Sequence, residues 1–191
     1  MREISSGNAW PIFDREGLSF AARLLDPGMV KLFGYWERLS DGAVPSYRRF
    51  DPLEVVPCLP DIQISRRGPD RRFRIGLTGD RVISIVGQNS TGKRLDEAIP
   101  PAAYAPRAAL FSRCLDTGCP LAYSSYFVTP DASHWVQKRL LLPFVDTGPG
   151  ADLILAMVGL SPIWQGPLPA AKPETILEVI ECTRGSNRSS V

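Results

Sequence analysis

The sequence predicts an α+β fold in which helices and strands are segregated along the chain instead of alternating. Three observations carry that expectation. Apolar residues recur at helical spacing from Met29 to Leu39 and again from Tyr104 to Leu115. Other short stretches alternate apolar and polar residues with the period of a strand. The last three strand candidates, Leu121 to Val128, Trp135 to Val145 and Asp152 to Leu160, are joined by turns too short for a parallel crossover. Two earlier strand candidates precede the long helix.

Residues 1–25 form an N-terminal extension in which Leu18, Ala21, Ala22 and Leu25 share a helical face. Asp26-Pro27 is a helix start, because Asp caps free N–H groups and Pro is tolerated in the first turn; Met29, Leu32, Phe33, Trp36 and Leu39 follow at helical spacing. Asp41-Gly42 ends that helix. A second start at Asp51-Pro52 opens a shorter segment confined by Pro57 and Pro60. Ile62 and Ile64, then Phe73, Ile75 and Leu77, alternate with polar residues on either side of the turn Gly68-Pro69-Asp70. Asp80 to Val86 fits either a helix capped by Asp80 or a short β-branched strand. Ala102 to Thr117 is the long helix, with Tyr104, Ala108, Phe111, Cys114 and Leu115 on one face and Gly118 as its stop. The main domain runs over residues 26–162. Residues 163–191 are a Pro-rich extension and tail, within which Thr175 to Cys182 forms a strand or helix that packs back.

Composition narrows the function. The 191 residues are 44% apolar and 22% charged, ordinary values for a globular chain. A net charge of +2 cannot supply the field on which non-specific nucleic-acid binding relies, and the pairs Arg48-Arg49, Arg66-Arg67 and Arg71-Arg72 lack interleaved aromatics. Nucleic acid and membrane are therefore not expected partners. Four cysteines (Cys58, Cys114, Cys119, Cys182) with no CxxC pair, and a single histidine, His134, offer too few ligands for a zinc site. Free thiols and no recognisable secretion signal point to the cytoplasm.

Two strands, a helical connection and a three-strand antiparallel run are the element order of a PAS domain. The residues sharpen this: Tyr35-Trp36, Pro45-Ser46, Asp51-Pro52, Leu59-Pro60, Phe73-Arg74 with Gly79, Gly87, Thr91-Gly92-Lys93-Arg94-Leu95 and Leu140-Leu141-Leu142-Pro143. Over residues 29–162 the chain resembles an alphaproteobacterial PAS-like family formerly classed as a domain of unknown function. The resemblance implies a five-stranded antiparallel sheet with helices on one face, an internal pocket, and a regulatory role. Such domains bind ligands or cofactors, or make dimer and partner contacts, and have no chemistry in common.

Rival chemistries are weaker. Gly87 to Lys93 reads GxxxxGK, similar to a phosphate loop of a nucleotide-binding enzyme, but Arg94 stands where a metal-binding hydroxyl is needed. That alternative requires Val82 to Val86 to be a strand, whereas the PAS resemblance makes it a helix. Gly87-Gln88-Asn89 also resembles the motif of flavin photoreceptors, but Ser90 replaces the reactive cysteine, so adduct photochemistry is not expected. Haem would need an axial ligand; His134 sits at a strand start and Cys114 on an apolar helix face, so haem is not expected either, and any cofactor is unknown. One histidine leaves little scope for a nucleophilic triad, and Asp96-Glu97 do not face each other, so no catalytic residue is assigned.

The expected ligand-binding lining is Phe73, Ile75, Leu77, Tyr104, Phe111, Leu115, Tyr123 and Met157, with the tyrosine hydroxyls orienting a polar ligand. Phe33, Tyr35 and Trp36, outside the expected core, either fold back onto the sheet or meet a second copy; a homodimer through them is the expectation. The functional expectation is a non-enzymatic sensory or regulatory module acting by ligand binding, dimerisation or contact with a signalling protein. Its alternatives are the phosphate-loop enzyme and a structural adaptor with a solid core.

Overall fold

Asp26-Pro27 begins the first long helix for the reason the sequence gives. The Asp26 carboxylate accepts from the Met29 N–H at 3.1 Å, while Pro27 occupies a first-turn position where no donor is needed. In the computed structural model, which describes residues 19–128, 134–162 and 176–182, this helix α2 (Pro27–Ser40) follows the short α1 (Phe20–Leu24). A 3₁₀ segment, Pro52–Asp61, then leads into the sheet, its start capped by Asp51 on the Leu53 N–H at 2.9 Å.

The strands are β1 (Ile62–Arg67), β2 (Phe73–Thr78), β3 (Leu121–Val128), β4 (His134–Phe144), β5 (Leu153–Pro162) and β6 (Ile176–Glu181). They form one sheet in the order β2-β1-β5-β4-β3-β6, and every neighbouring pair is antiparallel. The five expected strands are present. The sixth comes from the apolar stretch at Thr175 to Cys182, which pairs with β3, so the sheet extends into the C-terminal extension. Between β2 and β3 lie α3 (Asp80–Val86), α4 (Leu95–Ala98) and α5 (Pro101–Thr117). The ambiguous stretch is thus a helix. Its start is wedged against the 3₁₀ segment at Gly79, where a Cβ would come within 2.4 Å of the Pro60 carbonyl oxygen.

Both faces of the sheet are covered, because the N-terminal helices fold back. On the outer face Phe20, Leu24, Met29, Leu32, Phe33, Tyr35 and Trp36 pack on Ile62, Ile64, Leu140, Leu142, Phe144, Leu153, Leu155 and Met157. On the inner face α4 and α5 bring Leu95, Ala98, Phe111, Cys114 and Leu115 onto Phe73, Ile75, Leu121, Leu141, Ile154 and Ala156. This corrects the expected dimer contact. Phe33, Tyr35 and Trp36 are only 3%, 5% and 5% exposed, since the outer face of the sheet supplies the apolar surface they need.

Trp36 fastens α2 to the sheet. Its indole N–H donates to the Pro143 carbonyl oxygen at 2.9 Å, and both groups are buried. Pro143 pairs with Ile154 of β5, but β3 registers with β4 only as far as Leu141. At Pro143 the strand is therefore locally an edge, where a missing N–H is tolerated and a carbonyl is left for Trp36 to satisfy. The β4–β5 turn is held by Asp152, which accepts from the backbone N–H groups of Asp146, Thr147 and Gly148 and from the Thr147 hydroxyl at 2.7–3.0 Å. Burial would raise this carboxyl, but those four hydrogen bonds outweigh it and hold its pKa below the ordinary value.

Trp36→Phe leaves the Pro143 carbonyl without its partner, and we expect a loss of about 2 kcal/mol in urea unfolding with an unchanged slope. A midpoint equal to that of the native sequence would contradict the role given to this bond. Because Asp152 has a lower pKa folded than unfolded, its stabilisation is present above about pH 4 and lost as pH falls through the folded value. Asp152→Asn should therefore melt at a lower temperature at neutral pH, and the difference from the native sequence should shrink on acidification below about pH 4. A difference that stays constant from neutral to acid pH would show that the carboxylate charge is not involved.

Candidate functional site

Strand geometry divides the inner face in two. In β4 the odd-numbered residues point inward, and along them Leu141 gives way to Arg139 and Gln137; in β3 Leu121 gives way to Tyr123 and Ser125. In β1 the inward position is Gln63, and opposite it in β2 stands Thr78. One half of the face is therefore apolar and the other carries a band of polar side chains.

The apolar half is buried. Phe73 and Phe111 meet edge to face at 5.3 Å between ring centroids, and both are buried, as are Ile75, Leu115 and Cys114. The Cys114 thiol lies 3.8 Å from the Leu141 carbonyl oxygen, and burial pushes its pKa far above the usual thiol range, so it is an inert core group and a poor thiolate ligand.

In the polar half, Arg139 donates from Nε to Gln137 Oε1 and from Nη1 to Gln63 Oε1, both at 3.0 Å. Arg107, which reaches in from α5, donates to the same Gln137 oxygen at 3.5 Å. Arg107, Gln137 and Arg139 are each no more than 5% exposed. The hydroxyls of Tyr123 and Ser125 on β3, and of Thr78 four strands away on β2, are buried without a hydrogen-bond partner among the described residues. A buried hydroxyl left unpaired costs about 1–3 kcal/mol, so each of these groups stands out against an otherwise paired interior.

Of the expected lining, Phe73, Ile75, Phe111, Leu115 and Tyr123 meet on the inner face, with Tyr104 half-buried against them. Leu77 and Met157 do not. A β-bulge interrupts the β1–β2 register between Ile64 and Ser65, so that Leu77 pairs with Ile64 and Thr78 takes the inward place; Leu77 is left 44% exposed. Met157 shares the parity of Leu153 and Leu155 and packs on the outer face, beside Gly28 of α2. Gln63, Arg107, Ser125, Gln137 and Arg139 were not anticipated. A signal existed: Gln137 and Arg139 share the strand parity of the apolar Leu141, and Arg107 lies one helical turn before Phe111 on the same face.

The phosphate-loop alternative fails on its own criterion, because Val82 to Val86 lies in helix α3. Its N–H groups do not converge on a vacancy either. Gly87 donates to Ile83, Gly92 to Ile75, Lys93 to Ser90, Thr91 to the Asn89 side chain and Arg94 to Glu97. The loop instead closes the open edge of β2, with Ile75 donating in return to Lys93. A cleft of about 230 Å³ opens on the outer face, where Arg23, Lys138, Ser124 and Glu178 surround Met29 and Ile180 and where Tyr123 and Arg139 also line the wall. Among the described residues, no helix is long and apolar enough to cross a membrane.

No curated protein matches the chain. A family model described as a PAS domain matches residues 26–158, more than two thirds of the sequence, and spans every element from α2 through most of β5. With its antiparallel sheet and the helices α3 to α5 between β2 and β3, the chain belongs to the PAS domain family.

Proposed function

We propose that this PAS domain is a sensory or regulatory module that receives a small polar molecule in the polar half of its inner face and transmits occupancy by protein contact, without catalysis. The observation that carries the proposal is the pair of buried, unpaired hydroxyls on Tyr123 and Ser125. Packing alone does not call for them, since Phe and Ala would fill the same space without an unpaired group. The apolar lining first expected, Phe73, Ile75, Phe111 and Leu115, supports the site from beside it; Tyr104 and Tyr123 lie nearer the polar half.

Output by a homodimer or by a signalling protein uses a surface other than Phe33, Tyr35 and Trp36, which α2 buries. Leu53 and Val56 on the 3₁₀ segment are 79% and 51% exposed and are available for such contact. Free thiols at Cys58, Cys114, Cys119 and Cys182 favour a reducing compartment such as the cytoplasm. The edge-to-face packing of Phe73 on Phe111 favours the second reading, an adaptor whose core holds no ligand.

Tyr123→Phe separates the two, because it removes only the hydroxyl. For a ligand site, native mass spectrometry of freshly purified protein should show a bound small molecule on the native sequence and little on the variant. The ligand-free variant should melt at or above the native temperature, as expected when an unpaired buried group is deleted. A variant destabilised by more than about 1 kcal/mol would show that the hydroxyl belongs to the fold's own bonding. A bare native mass together with a neutral variant would establish the adaptor.

A further inference from the structure

The outer face of the sheet is not apolar throughout. The registers of β3 with β4 and with β6 set Leu140, Ala122 and Ile180 in one row across three strands, and Lys138, Ser124 and Glu178 in the next row on the same face. The first row is buried under α1 and α2. Ala122 is small between two larger neighbours, and the cleft of about 230 Å³ opens over it, with Leu24 and Met29 on its helical side. Lys138, Ser124 and Glu178 form its polar side. Neighbouring strands lie about 4.8 Å apart, so Lys138 and Glu178 start about 10 Å from each other, within reach of their side chains. They nevertheless form no ion pair with each other or with another described residue. Arg23 also borders the cleft but has an interaction of its own. Tyr123 and Arg139 border it too, yet by strand parity their side chains belong to the inner face. At the rim, Leu25 is 59% exposed and held at φ 60°, left-handed strain of the kind that clusters at ligand clamps.

We propose that this cleft is a second ligand site, independent of the one on the inner face, and that it takes a free α-amino acid with a small apolar side chain. The α-carboxylate lies toward Lys138, the α-ammonium toward Glu178, and the side chain against Ala122, Met29 and Ile180. A simple anion would be set against Glu178 and a simple cation against Lys138, whereas a zwitterion gives each charge an ionised partner. The Ser124 hydroxyl, midway between them, both donates and accepts and so serves either group. The volume falls below the roughly 300–1,000 Å³ of drug-sized pockets, which suits a single amino acid and not a peptide.

The test is calorimetric titration of the full chain with alanine, valine, leucine and methionine to millimolar concentration. Any that binds is compared with its amide, which lacks the carboxylate, and with the corresponding carboxylic acid that lacks the amino group. At least one amino acid should bind, with both analogues at least tenfold weaker. Lys138 is half-buried and Glu178 exposed, and neither is used in the fold's own ion pairs. Lys138→Met and Glu178→Gln should therefore each weaken binding at least tenfold with an unchanged melting temperature; if Lys138→Met does not fold, Glu178→Gln decides. Tyr123→Phe, which alters only the inner face, should leave binding within twofold of the native value. Failure of all four amino acids to bind overturns the proposal, as does an analogue that binds as tightly as its parent or unchanged binding in Glu178→Gln. Loss of binding in Tyr123→Phe but not in Lys138→Met would put the ligand on the inner face and overturn the outer site, while leaving the sensory reading in place.

Discussion

Burial of β4 and β5 on both faces is the constraint from which the rest of the structure follows. These strands lie between the α1–α2 layer and the α4–α5 layer, so residues 139–144 and 153–158 belong alternately to one interior or the other. Leu140, Leu142 and Phe144 serve the outer core; Leu141 serves the inner one. A slip of one residue would exchange the two sets and place Gln137 and Arg139 under α1 and α2. Register is therefore fixed strongly, and a polar residue at an inward position of β4 needs a local reason. The hydrogen bonds from Arg139 to Gln63 and Gln137 give that reason for the side chains themselves.

The same strands connect the two layers physically. Arg139 faces inward, whereas its neighbours Lys138 and Leu140 face outward toward the cleft and α2. On the proposed ligand-binding role, a molecule that repositioned Arg139 would act on a strand whose opposite face is packed against the N-terminal helices. The bond from Trp36 to Pro143 ties that helical layer to the far end of β4. Close packing on both sides makes independent movement of either layer costly.

Much of the fold was legible because period and punctuation agree. Asp26-Pro27, Asp51-Pro52 and Gly118 mark element ends by local chemistry, and the structure uses each as such. The site was less legible, since tertiary context decides it. Leu77 alternates correctly with Phe73 and Ile75, yet the bulge turns it outward, and a bulge leaves little trace in one sequence. Met157 lies in a strand apolar on both faces, LILAMVGL, where alternation cannot say which side is which. Phe33, Tyr35 and Trp36 demanded an apolar partner, and the sequence does not distinguish the chain's own sheet from a second copy. The polar half is readable in principle from Gln137 and Arg139, which share the strand parity of Leu141, but parity alone does not tell a buried arginine from a solvated one.

The central claim is that the polar half of the inner face, beside the core around Phe73 and Phe111, receives a small polar molecule. It is tested most directly by a high-resolution crystal structure of protein purified without ligand exchange. Discrete non-solvent density within hydrogen-bonding distance of Tyr123 Oη, Ser125 Oγ and Gln137 Nε2, with Phe73 against Phe111 unchanged, is the predicted result. Those three groups bonded to the protein itself, with no space between them, would contradict it.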